Sequence, residues 1–183
     1  MKNLLAIALL CIFFTSCEKE QDPFLITATN IGKLTKDIKV SQLDSIYSQD
    51  SIVNNITGDE FINGGAEIDI YEKGGTYLLH LAPSEEFDST STSAIIRIRD
   101  DRNKTEKGLT VKSTFKDIQE FYPISRIENT LSSAVIFIDE INAYVTIDKK
   151  QLPSKLQFDT STKIEASQIP DNAVIKQFWV GWE

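Results

Sequence analysis

Residues that commonly carry enzyme chemistry are scarce in this chain of 183 residues. It has two cysteines, Cys11 and Cys17, and a single histidine, His80. So small a supply excludes a zinc site built from four cysteine and histidine ligands, and it excludes a dithiol redox centre beyond Cys17. The sequence also has no Gly-x-Ser-x-Gly elbow and no His-Glu-x-x-His pair, so the corresponding serine-hydrolase and zinc-hydrolase classes have no support.

A hydrophobic run long enough to cross a membrane is missing from the N-terminus. The apolar stretch from Leu4 to Phe14 has 11 residues, whereas a transmembrane helix needs about 20. It follows the basic Lys2 and is closed by Thr15-Ser16-Cys17. This combination resembles the signal peptide of bacterial lipoproteins, which implies removal of residues 1–16 and attachment of a diacylglyceryl group to Cys17. The alternative is an ordinary secretory signal with Cys17 as a bystander.

The lipoprotein resemblance predicts how the mature chain meets its membrane. Cys11 leaves with the signal peptide and the thiol of Cys17 carries lipid, so neither a disulfide nor a thiol nucleophile remains. Two or more acyl chains give stable anchoring. The expected partner of the N-terminus is therefore a membrane, reached through the lipid on Cys17.

Residues 17–23 form a polar, acidic anchor and linker. Lys19 lies two positions after Cys17, where enterobacterial lipoproteins retained in the inner membrane carry aspartate. The acidic cluster resembles the export signal of surface lipoproteins in Bacteroidota, and an ordinary polar linker is the alternative. We therefore expect an outer-membrane location in the cell envelope, with exposure on the cell surface if the export signal is genuine.

An excess of acidic residues sets the charge of the chain. The formal net charge is −8, and removal of Lys2 with the signal leaves 18 basic against 27 acidic residues, a net charge of −9. Nucleic acids and anionic lipid surfaces attract clustered lysine and arginine, so neither is an expected partner. No stretch has the spacing of a calcium loop, and no cofactor or metal is expected.

An internal duplication is the strongest organisational signal. Three blocks recur in the same order: Leu34 to Tyr47 with Leu109 to Tyr122, Glu67 to Leu79 with Val135 to Thr146, and Pro83 to Thr92 with Pro153 to Thr162. The expected organisation is two repeat units, residues 24–103 and 104–183, packed as one globular domain.

Each unit has the same predicted order of strand, short helix, hairpin and strand. The first unit is expected to open with a strand over Phe24 to Thr29 and the second with a strand over Gly108 to Lys112. Apolar residues three to four apart predict the helices, and alternation predicts the hairpins. The predicted fold class is α+β, an antiparallel sheet with short helices on one face. The remaining predicted elements are a helix around Val40 to Tyr47, a helix around Phe115 to Tyr122 capped by Ser113 or Thr114 and stopped by Pro123, a hairpin around Lys73 to Gly75, a hairpin around Asp139 to Asn142, and closing strands over Ala94 to Arg99 and Ala173 to Trp182.

The layout resembles two groups of envelope proteins. A short helix followed by antiparallel strands, in two copies, is similar to proteins of the BamE and β-lactamase-inhibitor type. The segments Ser113 to Ile118, Leu152 to Ser154 and Ile175 to Trp179 resemble an uncharacterised family of enterobacterial envelope lipoproteins. That second family has no assigned activity, so the resemblance implies a fold and a location but no chemistry.

Two kinds of polar residue are candidates for a chemical role. His80 lies in a predicted strand and would act as a general base only beside a carboxylate, whereas a lone strand histidine is usually solvated or hydrogen-bonded. Asp88 and Asp159 each follow a phenylalanine that is expected to be buried, at the same place in the two units. Aspartate before serine or threonine commonly forms a local turn, and we favour that interpretation.

The C-terminal segment offers the best candidate for a contact surface. Alternation places Val174, Phe178, Val180 and Trp182 on one face of the strand and Trp179 on the other. Tryptophan on a surface is a typical binding anchor, so Trp179, Trp182 and Phe178 are candidate binding residues. A strand buried on both faces is the alternative.

Two functions from different classes fit these features. The preferred one is a non-enzymatic, lipid-anchored envelope protein that binds a protein or a glycan, as an assembly accessory or an inhibitor. The alternative is a hydrolase of envelope polysaccharide that uses two carboxylates, which requires two acids about 5–10 Å apart across a pocket.

Overall fold

The computed structural model describes residues 22–56 and 66–182. Cys17, the signal segment 1–16 and most of the linker 17–23 lie outside the described residues, so their predicted roles stay predictions. Within the described ranges, no helix is both long and apolar enough to cross a lipid bilayer.

Most of the regular secondary structure is β-strand, and all but one of the strand pairs are antiparallel in the described residues. In chain order they are β1 (Leu25–Ile26), β2 (Asn30–Ile31), β3 (Leu34–Thr35), β4 (Ser51–Ile56), β5 (Ala66–Tyr71), β6 (Tyr77–Pro83), β7 (Ser93–Ile98), β8 (Lys104–Thr105), β9 (Arg126–Asn129), β10 (Ser133–Ile138), β11 (Ala143–Asp148) and β12 (Gln177–Gly181). The α-helices are α1 (Leu43–Ile46), α2 (Phe115–Phe121) and α3 (Ser154–Gln157). The predicted α+β class is confirmed at this level.

The principal sheet has eight strands in the order β4-β5-β6-β7-β12-β11-β10-β9. Its first four strands form one antiparallel meander and its last four form another. The two meanders meet through their final strands, because β7 pairs with β12 in antiparallel register. A second, small sheet has the order β3-β2-β1-β8, in which β1 and β8 are parallel.

One face of the principal sheet forms the core. Alternate strand residues such as Ile70, Leu81, Ile96, Ile136 and Phe178 are fully buried there. The small sheet and the helices cover this face, since residues from both belong to the same buried cluster: Ile26, Ile31, Leu34, Leu43, Phe115 and Ile118. The alternation therefore divides every principal strand into a buried face and an opposite face, which we call the open face.

Helix α2 begins and ends where the sequence predicts. Thr114 is its N-cap: the Thr114 hydroxyl accepts a hydrogen bond from the backbone N–H of Asp117, and the Asp117 carboxylate accepts one from the backbone N–H of Thr114. These reciprocal bonds satisfy two amides that the first helical turn leaves unpaired. The extended residue Tyr122 ends the helix just before Pro123.

Several predicted strand boundaries are wrong. The opening strand of the first unit covers only Leu25–Ile26, and residues 108–112 are not a strand. Gly108 has a φ of +96° and its N–H donates to the Thr105 carbonyl, so the chain turns where an extended segment was predicted. The closing strand is limited to Gln177–Gly181. Strands β4 and β9, which form the two edges of the principal sheet, were not predicted from the sequence.

Candidate binding face

A continuous line of paired residues crosses the open face of the principal sheet. Each member lies directly opposite the next across a strand pair, from β9 at one side to β5 at the other. In that order the members are Arg126, Phe137, Tyr144, Trp179, Arg97, His80 and Asp69. We call these seven residues the open-face row.

The aromatic part of the row is a stack of planar groups. The ring centroids of Phe137 and Tyr144 lie 5.6 Å apart, and those of Tyr144 and Trp179 lie 6.1 Å apart with the planes inclined by 8°. Arginines close the stack at both ends: the Arg97 guanidinium carbon is 5.3 Å from the Trp179 ring centroid, and that of Arg126 is 3.4 Å from the Phe137 centroid. Aromatic pairs and cation–π contacts of this kind each contribute about 0.5–1.5 kcal/mol.

The other end of the row is a hydrogen-bonded carboxylate. The Nδ1 atom of His80 lies 2.8 Å from Oδ1 of Asp69, and the amide of Asn55 donates to Oδ2 at 2.6 Å. The hydroxyl of Tyr77 donates to the same carboxylate. Burial opposes ionisation of Asp69, but these three hydrogen bonds and the imidazole outweigh it and hold the pKa of Asp69 below its usual range. Asp69 is therefore a fixed anion that orients its neighbours.

Two arginines, Arg97 of strand β7 and Arg99 directly after it, lie on the open face beside this carboxylate. The Arg99 guanidinium lies over the ring of Tyr77, 4.5 Å from its centroid, as Arg97 lies over Trp179. Among residues 22–56 and 66–182, neither guanidinium has a carboxylate within ion-pair distance. Partial burial, and then repulsion from Arg99, lower the pKa of Arg97. The pair thus consists of two cations without an ion-pair partner among the described residues, on a face that also carries the Asp69 and Glu67 carboxylates.

The structure separates the three candidate binding residues. Phe178 is 0% exposed and Trp182 is 7% exposed, so both belong to the core and offer no contact surface. Trp179 is half-buried on the open face, at the centre of the row. Val174, placed by alternation beside Phe178, precedes the strand and is exposed instead.

Asp88 and Asp159 both act within local turns. Asp88 accepts hydrogen bonds from the backbone and hydroxyl of Thr90, and Asp159 accepts them from Ser161 and Thr162. The preceding phenylalanines are exposed rather than buried, 67% for Phe87 and 90% for Phe158. Hydrogen bonds from the neighbouring hydroxyls and amides lower the pKa of both carboxyls. These local bonds explain the two aspartates as turn residues, and no ligand is needed to explain them.

Ser113 and Lys116 have the Ser-x-x-Lys spacing of a serine nucleophile and its lysine base. Ser113 is buried, and its hydroxyl oxygen accepts a hydrogen bond from the backbone N–H of Thr110. The Lys116 amine is exposed and lies 3.6 Å from a carboxylate oxygen of Glu120. Because each polar group has its own structural partner, this spacing marks the start of helix α2 and not a catalytic pair.

The acidic groups of the open face do not form the cleft that a two-carboxylate hydrolase uses. His80 lies between Asp69 and Glu67, with Nε2 of the imidazole 3.8 Å from Oε1 of Glu67. The imidazole thus fills the place between the acids that a glycosidic oxygen would occupy. The described residues also contain no group of three or more His, Cys, Asp or Glu side chains arranged to hold a metal ion.

Only Trp179 and His80 of the row were predicted as candidate residues from the sequence. One available signal was the second hairpin. A turn over Asp139 to Asn142 pairs Ile138 with Ala143 and therefore Phe137 with Tyr144. The pairing of that hairpin with Trp179 and Arg97 joins distant parts of the chain and has no local signature.

Comparison with known proteins identifies the fold and no activity. No protein-family model matches the chain, and no curated protein sequence matches it. The crystal structure of the uncharacterized protein yfeY from Escherichia coli is similar, with a TM-score of 0.58, 9% sequence identity, and coverage of 86% of this chain and 99% of that one. At this identity the likeness concerns the fold alone.

Proposed function

We propose that this protein is a lipid-anchored, non-enzymatic binding protein of the outer membrane, and that the open-face row is its binding surface. The observation that carries the proposal is the row itself: aromatic and charged residues line up across seven strands on the face opposite the core. Aromatic and arginine side chains are the residues most often responsible for binding energy at protein surfaces.

The arrangement favours binding over catalysis for a second reason. Asp69 is already engaged, since it accepts hydrogen bonds from Asn55, Tyr77 and His80. Within the described residues the His80 imidazole contacts Asp69, Glu67 and Trp179, and none of these is a nucleophile that a histidine base would activate. Groups fixed in this way support recognition through a preorganised shape, which lowers the entropic cost of binding.

The two meanders support the proposed tandem duplication. Each consists of four consecutive strands, and the sheet order reads outward from the β7–β12 junction with the same connectivity on both sides. By position in the sheet, Asp69 corresponds to Phe137, His80 to Tyr144 and Arg97 to Trp179. The proposed sequence repeat aligns Tyr77 with Tyr144 instead, so the match at this strand is one of position only. The binding surface would then lie across both units, with the Arg97–Trp179 pair at their junction.

Immobilised protein tests the proposed surface. Outer-membrane extract is divided into a protease-treated glycan fraction and a protein fraction, and retention is measured by biolayer interferometry. We expect one fraction to be retained by the wild type and retention to fall in Trp179→Ala and Tyr144→Ala. Phe158→Ala is the matched control, because it removes an exposed aromatic ring outside the row. Equal retention by all four proteins, or none from either fraction, would contradict the proposal.

The proposed anchor has its own test. Cells grown with an alkyne-bearing palmitate should label the wild-type protein, which should sediment with outer membranes, and the Cys17→Ala variant should remain unlabelled. Identical labelling and sedimentation of the two proteins would rule out Cys17 as the anchor and leave the binding surface to be judged separately.

A further inference from the structure

The chemistry of the open face indicates which class of ligand it takes. We infer that the open face binds an acidic glycan, a sugar chain bearing carboxylate groups, with Arg97 of the row and the neighbouring Arg99 receiving those carboxylates. This inference rests on the proposed binding function and adds the ligand class to it.

Charge is the first observation behind this assignment. The chain carries a net charge of −8, and several of its basic side chains pair with acids, as Lys107 does with Glu140. Arg97 and Arg99 differ from these, because within the described residues each guanidinium contacts an aromatic ring and neither pairs with an acid. An arginine fixed by stacking keeps its N–H fork available for a carboxylate. The patch is thus complementary to an anion.

Ring orientation is the second observation. Tyr144 lies against one side of the Trp179 ring and Arg97 against the other, and Phe137 is held in the same way between Tyr144 and Arg126. Because the negative ring faces are occupied, the ring edges remain for the solvent. Aromatic edges carry partial positive charge, so they add to the attraction that the arginines exert on an anion.

The spacing of the arginines fits a chain with repeated charges. Arg97 lies in β7 and Arg99 follows the end of that strand, where its N–H still donates to the carbonyl of Leu78. Two extended residues separate the side chains by about 7 Å. Both lie near the middle of the eight-stranded sheet, where β7 is flanked by β6 and β12. A ligand lying across the row can therefore place successive carboxylates over the two guanidinium groups.

A glycan fits this surface better than an acidic peptide does. Glu67 and Asp69 lie on the same face, beside His80. Sugar hydroxyls can donate hydrogen bonds to the Glu67 carboxylate, whereas the ionised side chains of an acidic peptide offer only acceptors there. A peptide that pairs by its backbone also needs a sheet edge, and the edges here are β4 and β9. The arginine pair lies away from both edges.

Calorimetric titration with three defined probes tests the inference. They are a hexamer of galacturonic acid, the same hexamer with every carboxyl methyl-esterified, and hexaglutamate. The wild-type protein should bind the acid hexamer about tenfold more tightly than the ester, which corresponds to about 1.4 kcal/mol. In Arg97→Gln/Arg99→Gln that preference should disappear. Lys155→Gln/Lys163→Gln removes two charges from exposed residues outside the row and should keep it.

Each contrary result has a separate meaning. If the acid and ester hexamers bind equally and both depend on Trp179, the acidic-glycan inference is overturned while the proposed binding surface stands. Tighter binding of hexaglutamate than of the acid hexamer would replace the glycan by an acidic protein. Failure of all three probes overturns the inference, and the extract experiment then decides on the proposed function alone. Thermal melting of each variant shows whether it is folded, and Arg97→Lys retains the charge if Arg97→Gln does not fold.

Discussion

The two meanders of the principal sheet present the same kind of core and different open faces. On the buried side, Ile68 and Ile70 of the first meander have counterparts in Ile136 and Ile138 of the second. On the open side, the first meander contributes Asp69, His80 and Arg97 to the row, and the second contributes Phe137, Tyr144 and Trp179. Packing restricts the buried positions to apolar residues of similar volume, whereas the open positions are free to differ. Specific chemistry is therefore to be sought on the open side.

The largest loss of stability is expected at Phe178, whose side chain lies on the buried face of β12. The side chain of its neighbour Trp179 lies on the open face. Phe178→Ala leaves a cavity in the core and should lower the free energy of unfolding by about 3–5 kcal/mol. Trp179→Ala removes only open-face contacts and should cost about 1–2 kcal/mol. Urea denaturation measures both. A larger loss for Trp179→Ala than for Phe178→Ala would mean that the assignment of the faces is incorrect.

The stability of the first meander should depend on pH through Asp69. The residue at the matching position of the second meander, Phe137, does not titrate. Because the folded-state pKa of Asp69 is lowered, the unfolded chain binds a proton more readily than the folded chain does. Stability from this group is present above the unfolded pKa of about 3.9 and is lost as the pH falls toward the folded pKa. Asp69→Asn should therefore be less stable at neutral pH, and its stability should fall less steeply below pH 4.

The measurement is urea denaturation of wild type and Asp69→Asn at a series of pH values. Asp139→Asn is a suitable control, since Asp139 is an exposed aspartate outside the row, just after strand β10. Parallel pH curves for the wild type and Asp69→Asn would contradict the assigned role of Asp69.

Helix capping also distinguishes the two halves. The Thr114 side chain caps α2, whereas the N-cap of α1, Gln42, forms no such hydrogen bond. Thr114→Ala should lower the free energy of unfolding by about 1 kcal/mol. Gln42→Ala should have a smaller effect, and thermal melting of the two variants provides the comparison. Equal losses would show that the Thr114 cap contributes little.

The smallest effect is expected at the two equivalent aspartates. Asp88→Asn and Asp159→Asn alter exposed turns that lie outside the row. We expect no measurable change in ligand affinity by calorimetry for either variant. A clear loss of affinity in one of them would extend the binding surface to that loop. The loops of the two halves would then differ in ligand binding, as the open-face residues do.

Local patterns in the sequence predicted much of the fold. Alternation identified β5, β6, β10 and β11, and the cap at Thr114 with Pro123 identified α2. The edge strands β4 and β9 were missed because their residues are largely polar or exposed, as in Asn54-Asn55 and Arg126-Ile127-Glu128-Asn129, and an edge strand needs little burial. The false strand over 108–112 shows the reverse case, in which one buried residue, Leu109, lies within a segment of turns.

The candidate site was only partly predictable for a different reason. Alternation correctly placed Trp179 opposite Phe178, since that relation depends on one strand. The partners of Trp179 depend on the pairing of β12 with β7 and β11, strands that are distant in sequence. The register of such pairs is set by the packing of the whole core, so Arg97 and Tyr144 could not be assigned to the row from local patterns.

The two tryptophans permit the most direct test of the central claim, because Trp179 lies on the open face of β12 and Trp182, just after this strand, is buried in the core. In a protein labelled with ¹⁵N at the indole nitrogens, each ring gives one resonance, assigned with Trp179→Phe and Trp182→Phe. On addition of the glycan or protein fraction that the wild type retains, the account predicts that the Trp179 resonance shifts while the buried Trp182 resonance stays in place. A shift confined to Trp182, or binding that moves neither resonance, would contradict the open face as the binding surface.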